Sequence, residues 1–490
     1  MGTWFDTEQL RQRVERSWEA DILPTLEEYT TIPCLSPAFA PDWAETGALR
    51  QAADLLGDWS ASRTVPGLSS EIVEQPGRTP VLLVEAPAMG AEGAGGGTVL
   101  IYGHLDKQPP QGEWRPGLGP YEPVRQGDRL FGRGTGDDGY SVFAALCALE
   151  ALSSLDVPRP RVLVLIEASE ESGSPDLASY LDALAPRIGP VRLVICLDSG
   201  CLTYDRLWLT SSLRGNLVAT VRVAVLSEGV HSGLAGGVVP SSFRILRQLL
   251  SRIEDERTGE ILLPQLRAEV PAGHRRNLAA VATEHPDAVS GDLPVVEGLV
   301  LGGSDDTERL VAKAWGPALA VTGMDGIPAV RDAGNVLRPF TTAKISVRLP
   351  PLIDAAGAAA ALVAVLSAEP PEGATVTVEV EEPADGWVAP DPEPWVTSAL
   401  DEASRASFGT TASTYGEGGT IPFLATLATR FPGTQMVATG VLGPGSNAHG
   451  PNEFLHIPMA EAVTVAVAHL VAAAHGGGAP SQPPDAAPLR

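Results

Sequence analysis

Four short runs of apolar, mostly β-branched residues constrain this chain most. They read VLLVEA from Val81, TVLIYG from Thr98, RVLVLIE from Arg161 and RLVICL from Arg192. Helical patterns separate them. The spacing predicts one helix over Tyr140–Leu152 and another over Asp176–Leu184. Before them, Leu10, Val14, Trp18 and Ile22 recur every fourth residue, one face of an amphipathic helix, and a second helix is expected from Asp42 to Trp59. Apolar strands alternating with helices predict an α/β domain whose sheet is covered on both faces. In such sheets functional residues gather just beyond the strand ends.

Near Ser212 the pattern changes. NLVATVRVAVL from Asn216 alternates as a half-buried strand does, and a helix is expected from Ser241 to Ile253. After a loop-rich stretch come the strand TAKISVRLP from Thr342, an Ala-rich helix to Ala368 capped by Asp354, and the strand ATVTVEVE from Ala374. Two strand–helix–strand units in a row predict a small α+β domain of ferredoxin-like type at 212–384. It interrupts a larger domain formed by 1–211 and 385–475. The junction EEPADGWVAPDPEPW reads as a linker, and 476–490 as a disordered tail.

A net charge of −26 sets this chain apart from proteins that bind nucleic acid or anionic membranes, which rely on Lys and Arg. Cys34, Cys147, Cys196 and Cys201 have neither zinc-finger spacing nor the density of a disulfide framework, so they are expected as small buried residues. The first residues show no basic stretch followed by an apolar run, and Met459–Ala474 is short for a membrane span. A cytoplasmic enzyme is the expectation.

Five segments carry candidate chemistry. YGHLDKQPP places His104 and Asp106 two apart beyond a strand, facing the same way. LFGRGTGDDGYS presents Asp137 and Asp138 from a glycine-rich turn, VLIEASEESGS sets Glu170 and Glu171 after a strand, VICLDSG supplies Asp198, and VLGPGSNAHGPNEFL supplies His449. Singly, each has a plain structural explanation: an incidental HxD, a helix cap, an exposed loop. Adjacent carboxylates after a buried strand are nevertheless costly unless a cation or water receives them. Two histidines with three carboxylates form a donor set suited to Zn²⁺, with Mn²⁺ or Co²⁺ as alternatives.

In order and context these motifs resemble the aminoacylase and carnosinase family of metallopeptidases. The resemblance runs from about Leu10 to Ala474, and HSGLAGG and EGGTIP point to the carnosinase and non-specific dipeptidase branch. It implies a di-zinc aminopeptidase-like catalytic domain with an inserted lid and dimerisation domain. Asp137 would bridge two divalent ions. His104 and Asp198 would complete one site, and Glu171 and His449 the other. Glu170 would be the general base, Asp106 would orient His104, and the Asp137–Asp138 peptide would be cis. His231 would reach a partner subunit's site in a homodimer and stabilise the oxyanion. Arg348 would bind the substrate's C-terminal carboxylate, aided by Gly419 and Thr420.

Two departures bear on specificity. The family often has Lys where Gly139 stands and Arg where Gly416 stands. Lys107 is expected to be solvated. The implied activity is hydrolysis of dipeptides or short peptides. An N-acyl amino acid deacylase on the same scaffold is the alternative, and a catalytically inactive binding protein a remoter one.

Overall fold

The computed structural model describes residues 5–476 except 91–96, 287, 290, 292, 294 and 382, so the expected tail lies outside the described residues apart from Gly476, which ends a helix. Its main sheet has six strands in the order Ser69–Val73, Val81–Ala86, Arg161–Glu167, Thr98–His104, Val191–Cys196, Gln435–Ala438. The last four run parallel, whereas Val81–Ala86 is antiparallel to Arg161–Glu167 and Ser69–Val73 to Val81–Ala86. The four apolar runs therefore lie in one sheet, and the continuous burial of Thr98–His104 matches their two-sided cover. Gln435–Ala438 was not expected, being only four residues long.

Leu10, Val14, Trp18 and Ile22 point inward from one continuous helical segment, which passes through a π-helical turn at Trp18–Ile22. The expected helix Asp42–Trp59 is broken instead. Gly47 takes a φ of +70°, ending Trp43–Thr46 before Ala48–Ala61 begins. The apolar C-terminal stretch is longer than expected, a 20-residue helix Ile457–Gly476 with 78% of its most apolar window inside the protein. It packs against Ser141–Ser154 and Pro394–Phe408, which explains its composition as that of a core helix.

The second unit is a four-stranded antiparallel sheet ordered Ala318–Asp325, Phe340–Leu349, Gly215–Ala224, Thr375–Val380. Leu217, Ala219, Val221 and Val223 face Ile345 and Val347 and the helices Ser242–Leu250 and Ala355–Ser367. The stretch between Gly215–Ala224 and Ala318–Asp325 differs from the loop-rich reading. It holds helices Ala272–Glu284 and Asp306–Trp315, whose Leu278, Val281, Leu310 and Trp315 join the larger core rather than this one. Asp354 occupies the N-cap of the Ala-rich helix but makes no side-chain bond there; the Ala355 N–H donates to Asp385 at 2.8 Å. The expected linker is also pinned, since Trp387–Val388 pairs with Leu213 and Ser212 and Trp387 is buried.

The N-terminal helix is stapled to the core helix where the Trp18 indole N–H donates to Thr464 Oγ1 at 3.0 Å, both fully buried. Thr464→Val keeps the shape and leaves that N–H unpaired, which costs about 1–3 kcal/mol. Denaturant unfolding is expected to show this loss in Thr464→Val and little of it in Thr464→Ser. A Val variant as stable as the parent would contradict the staple.

Candidate metal centre

Parallel strands place their C-terminal ends side by side, and the candidate residues follow those ends. His104 closes Thr98–His104, Glu170 and Glu171 start a short 3-10 turn after Arg161–Glu167, and Asp198 follows Val191–Cys196. His449 comes from the loop after Gln435–Ala438, with a left-handed φ of +63°. The glycine-rich turn brings Asp137 into their midst, with a cis peptide bond to Asp138.

Asp137 is the meeting point. Its Oδ1 lies 3.3 Å from His104 Nε2 and its Oδ2 3.0 Å from His449 Nε2. Asp198 Oδ1 is 3.8 Å from His104 Nε2, and Glu171 Oε2 is 3.2 Å from His449 Nε2. Two donor triads result, His104–Asp137–Asp198 and Asp137–Glu171–His449, each with ligand atoms within 4.8 Å of one another. Imidazole nitrogens and carboxylate oxygens converging at this range fit a borderline-hard divalent cation.

The electrostatics point the same way. Burial pushes Asp198 up to about 7, with Asp137 and Glu171 adding repulsion against His104. Burial, then Asp198, raises Glu170 well above the usual carboxylate range, and burial with Asp137 raises Glu171. For Asp137 burial acts upward too, but the bonds from His104 and His449 win and hold it far below the normal value. Burial disfavours charge on the imidazoles. The carboxylates outweigh it, raising His104 well above normal and His449 to about 11.

Asp106 lies against His104 and also supports the neighbouring turn. His104 Nδ1 lies closer to the Asp106 main-chain carbonyl, at 3.0 Å, than to its carboxylate, at 3.5 Å. That carboxylate accepts the N–H groups of Glu170 and Glu171 at 3.1 and 3.0 Å, fixing the turn that carries both. Lys107 is a correction. It is fully buried rather than solvated, because its ammonium finds three main-chain acceptors, on Tyr29, Thr30 and Ile32. Gly139 has a packing reason, since a Cβ there would stand 2.3 Å from the Tyr29 ring.

A second group forms around Arg348. Arg348 Nη1 donates to Thr420 Oγ1 at 2.8 Å, and Thr420 in turn donates to the Arg214 carbonyl at 2.6 Å. The Gly419 carbonyl accepts the Arg214 N–H at 3.0 Å. Arg214, half-buried, is brought down to about 10 by burial and by Arg348 beside it. Sequence reasoning missed Arg214; the only signal was its place at the unit boundary. His231 is not brought to this group or to the triads. It is exposed on the two-residue strand Val230–His231, where its Nδ1 accepts the Gly233 N–H.

Other supporting groups were equally silent in the sequence. Gln108 Nε2 donates to Glu171 Oε2 at 2.8 Å. Glu417 accepts Ser199 Oγ at 2.9 Å beside Asp198. Buried Glu167 receives Tyr102 and Ser174 hydroxyls at the root of the Glu170 turn.

A cation-binding cluster at the carboxyl edge of a parallel sheet, buried at His104 and Asp137 and open to solvent at His449, with one spare glutamate alongside, is the ligand chemistry of metal-dependent hydrolases. The sequence comparison is more specific: residues 100–474 match the model of peptidase family M20/M25/M40, and the chain belongs to that family of metallopeptidases. Among curated relatives, the cysteinylglycine-S-conjugate dipeptidase of Corynebacterium striatum is 29% identical over 376 residues, 74% of this chain and 80% of the relative. The Beta-Ala-His dipeptidase of Homo sapiens is 28% identical over 261 residues, 52% of this chain and 50% of the relative. Among solved structures, the di-peptidase Dug1p from Saccharomyces cerevisiae shares the fold with a TM-score of 0.77 at 21% identity, over 96% of this chain and 99% of that one. Human carnosine dipeptidase 1 gives 0.76 at 22%, over 96% and 98%.

The shifts above set a pH dependence. Asp198, Glu170 and Glu171 have raised folded-state values, so they destabilise the fold once pH passes the ordinary carboxylate range, in full above about 7 for Asp198. The raised imidazoles contribute stability below their ordinary value of about 6.5 and lose it as pH rises. Both act in one direction. Metal-stripped protein is expected to lose thermal stability steadily from pH 5 to 8, and excess Zn²⁺ or Mn²⁺ to restore it at pH 8. Calorimetry showing a flat profile with no response to metal would contradict this.

Proposed function

We propose that the protein hydrolyses dipeptides or very short peptides using two divalent ions, zinc first, with manganese or cobalt able to substitute. One observation carries the reading: two donor triads share Asp137, and Glu170 stands beside them. The dipeptidase names of the curated relatives support the substrate class and weigh against an N-acyl amino acid deacylase or an inactive binding protein.

In this reading His104, Asp137 and Asp198 hold one ion, and Asp137, Glu171 and His449 the other. Such ions, when bound, make a water acidic and polarise a carbonyl. The protein's own groups do the rest. Glu170 removes a proton from the attacking water at a carboxylate oxygen, then delivers it to the departing amine nitrogen. Asp106 fixes the Glu170 main chain and leaves the side chain free for this transfer. Burial, by raising the Glu170 carboxyl above the ordinary carboxylate range, makes it a stronger proton acceptor.

Arg348, with Thr420 and Gly419, receives the C-terminal carboxylate of the substrate. The mutual repulsion of Arg348 and Arg214 supports an anion there. The four-stranded unit acts as lid and dimerisation domain, and exposed His231 reaches the partner subunit's site in a cytoplasmic homodimer.

Glu170→Gln is expected to lower kcat by about 10²–10⁴-fold with metal content unchanged. Arg348→Ala is expected to raise KM for free dipeptides by about 10–100-fold, the worth of a charge-assisted bond, and to leave C-terminally amidated ones unaffected. A panel of dipeptides alongside N-acetyl and N-succinyl amino acids tests the class. Turnover of acyl amino acids alone would overturn it.

A further inference from the structure

We infer that Glu453 is a positioning residue for the shared aspartate, its carboxyl group seated as an acceptor in a cup of main-chain amides. This rests on the reading of Asp137 as a ligand to both ions. Glu453 is fully buried, four residues after His449. Its Oε1 accepts the N–H groups of Gly134 at 3.0 Å, Gly136 at 3.4 Å and Asp137 at 3.3 Å. Arg133 donates to the other oxygen, Oε2, and also to the Gly450 carbonyl at 2.7 Å. The Gly132 N–H donates to the Glu453 carbonyl at 3.0 Å. One residue thus ties the turn that carries Asp137 to the loop that carries His449.

The local sequence is shaped around this carboxylate. Successive amides form an anion-binding concavity only where the backbone turns tightly. Gly134 does so at φ +82°, and a Cβ there would lie 2.5 Å from Lys107 Cε. A Cβ on Gly136 would meet the Phe454 carbonyl at 3.2 Å. The chain has therefore left both positions bare, and the amides close around Glu453.

Stability alone does not account for the arrangement. A buried ion pair such as Arg133–Glu453 is often no better than well-packed apolar residues of the same volume. Apolar residues could replace the pair, but they could not hold the Asp137 N–H. That matters because each Asp137 oxygen faces a different histidine, His104 at 3.3 Å and His449 at 3.0 Å. A small rotation of the main chain would lose one of the two. Groups that orient metal ligands typically change affinity by about 10–100-fold when removed.

The test is metal affinity of the full-length protein, measured by competition with a chromophoric chelator for Zn²⁺. Glu453→Met removes the acceptor, and Glu453→Gln keeps one oxygen for the amides. Arg159→Met is the control for a buried polar loss elsewhere, since Arg159 is equally buried and donates to the Pro87 carbonyl at 2.6 Å. Expected are affinity about 10–100-fold weaker in Glu453→Met, an intermediate loss in Glu453→Gln, and a change under about threefold in Arg159→Met despite a lower melting temperature. If Glu453→Met does not fold, the Gln variant carries the test against Arg159→Met. Wild-type affinity in the Glu453 variants, or an equal loss in Arg159→Met, would overturn the inference. Wild-type affinity in Asp137→Ala would instead overturn the metal reading beneath it.

Discussion

Carboxylates repel one another, and this fold crowds six of them, Asp106, Asp137, Asp138, Glu170, Glu171 and Asp198, around the ends of three parallel strands. Burial makes the crowding worse, because water no longer spreads the charge. Proton uptake relieves it in part, as the raised Asp198, Glu170 and Glu171 show, and positive charge relieves it further. Two histidines supply some of that charge, and the donor set suits divalent cations for the remainder. The sheet order, the glycine turn and the left-handed His449 all serve to make these groups meet in spite of their repulsion.

What holds them is a set of carboxylates, Asp106 among them, that accept N–H and O–H groups of the turns carrying the others. Asp106 clamps the amides of Glu170 and Glu171, Glu453 clamps the turn of Asp137, and Glu417 clamps Ser199 next to Asp198. A buried carboxylate can accept several N–H groups at once, so one side chain fixes a whole turn. Two of the clamps also act electrostatically, Asp106 on Glu170 and Glu417 on Asp198, whereas Glu453 is paired with Arg133.

The large domain was legible because most of its strands are buried on both faces and read as unbroken apolar runs, and because His104, Glu171 and Asp198 follow such runs within a few residues. Failures fell where that signal is missing. Strand Ala318–Asp325 is mostly exposed and carries no alternation, and the helices Ala272–Glu284 and Asp306–Trp315 were hidden in a stretch that read as loop. Lys107 was misjudged because a lysine is usually solvated; its burial depends on three carbonyls at the end of the N-terminal helical segment, a contact between distant residues. Glu453 and Arg214 were silent for the same reason. Nothing near them in sequence shows that their partners lie about 100 to more than 300 positions away.

Counting bound ions tests the shared-ligand centre most directly. Elemental analysis and equilibrium binding of Zn²⁺ should give two ions per chain for the parent protein. Loss of one triad in His449→Ala should leave one ion, and loss of the common ligand in Asp137→Ala should leave none held tightly. Retention of one tightly held ion in Asp137→Ala would contradict a bridging aspartate. Two ions in His449→Ala would contradict the assignment of that histidine.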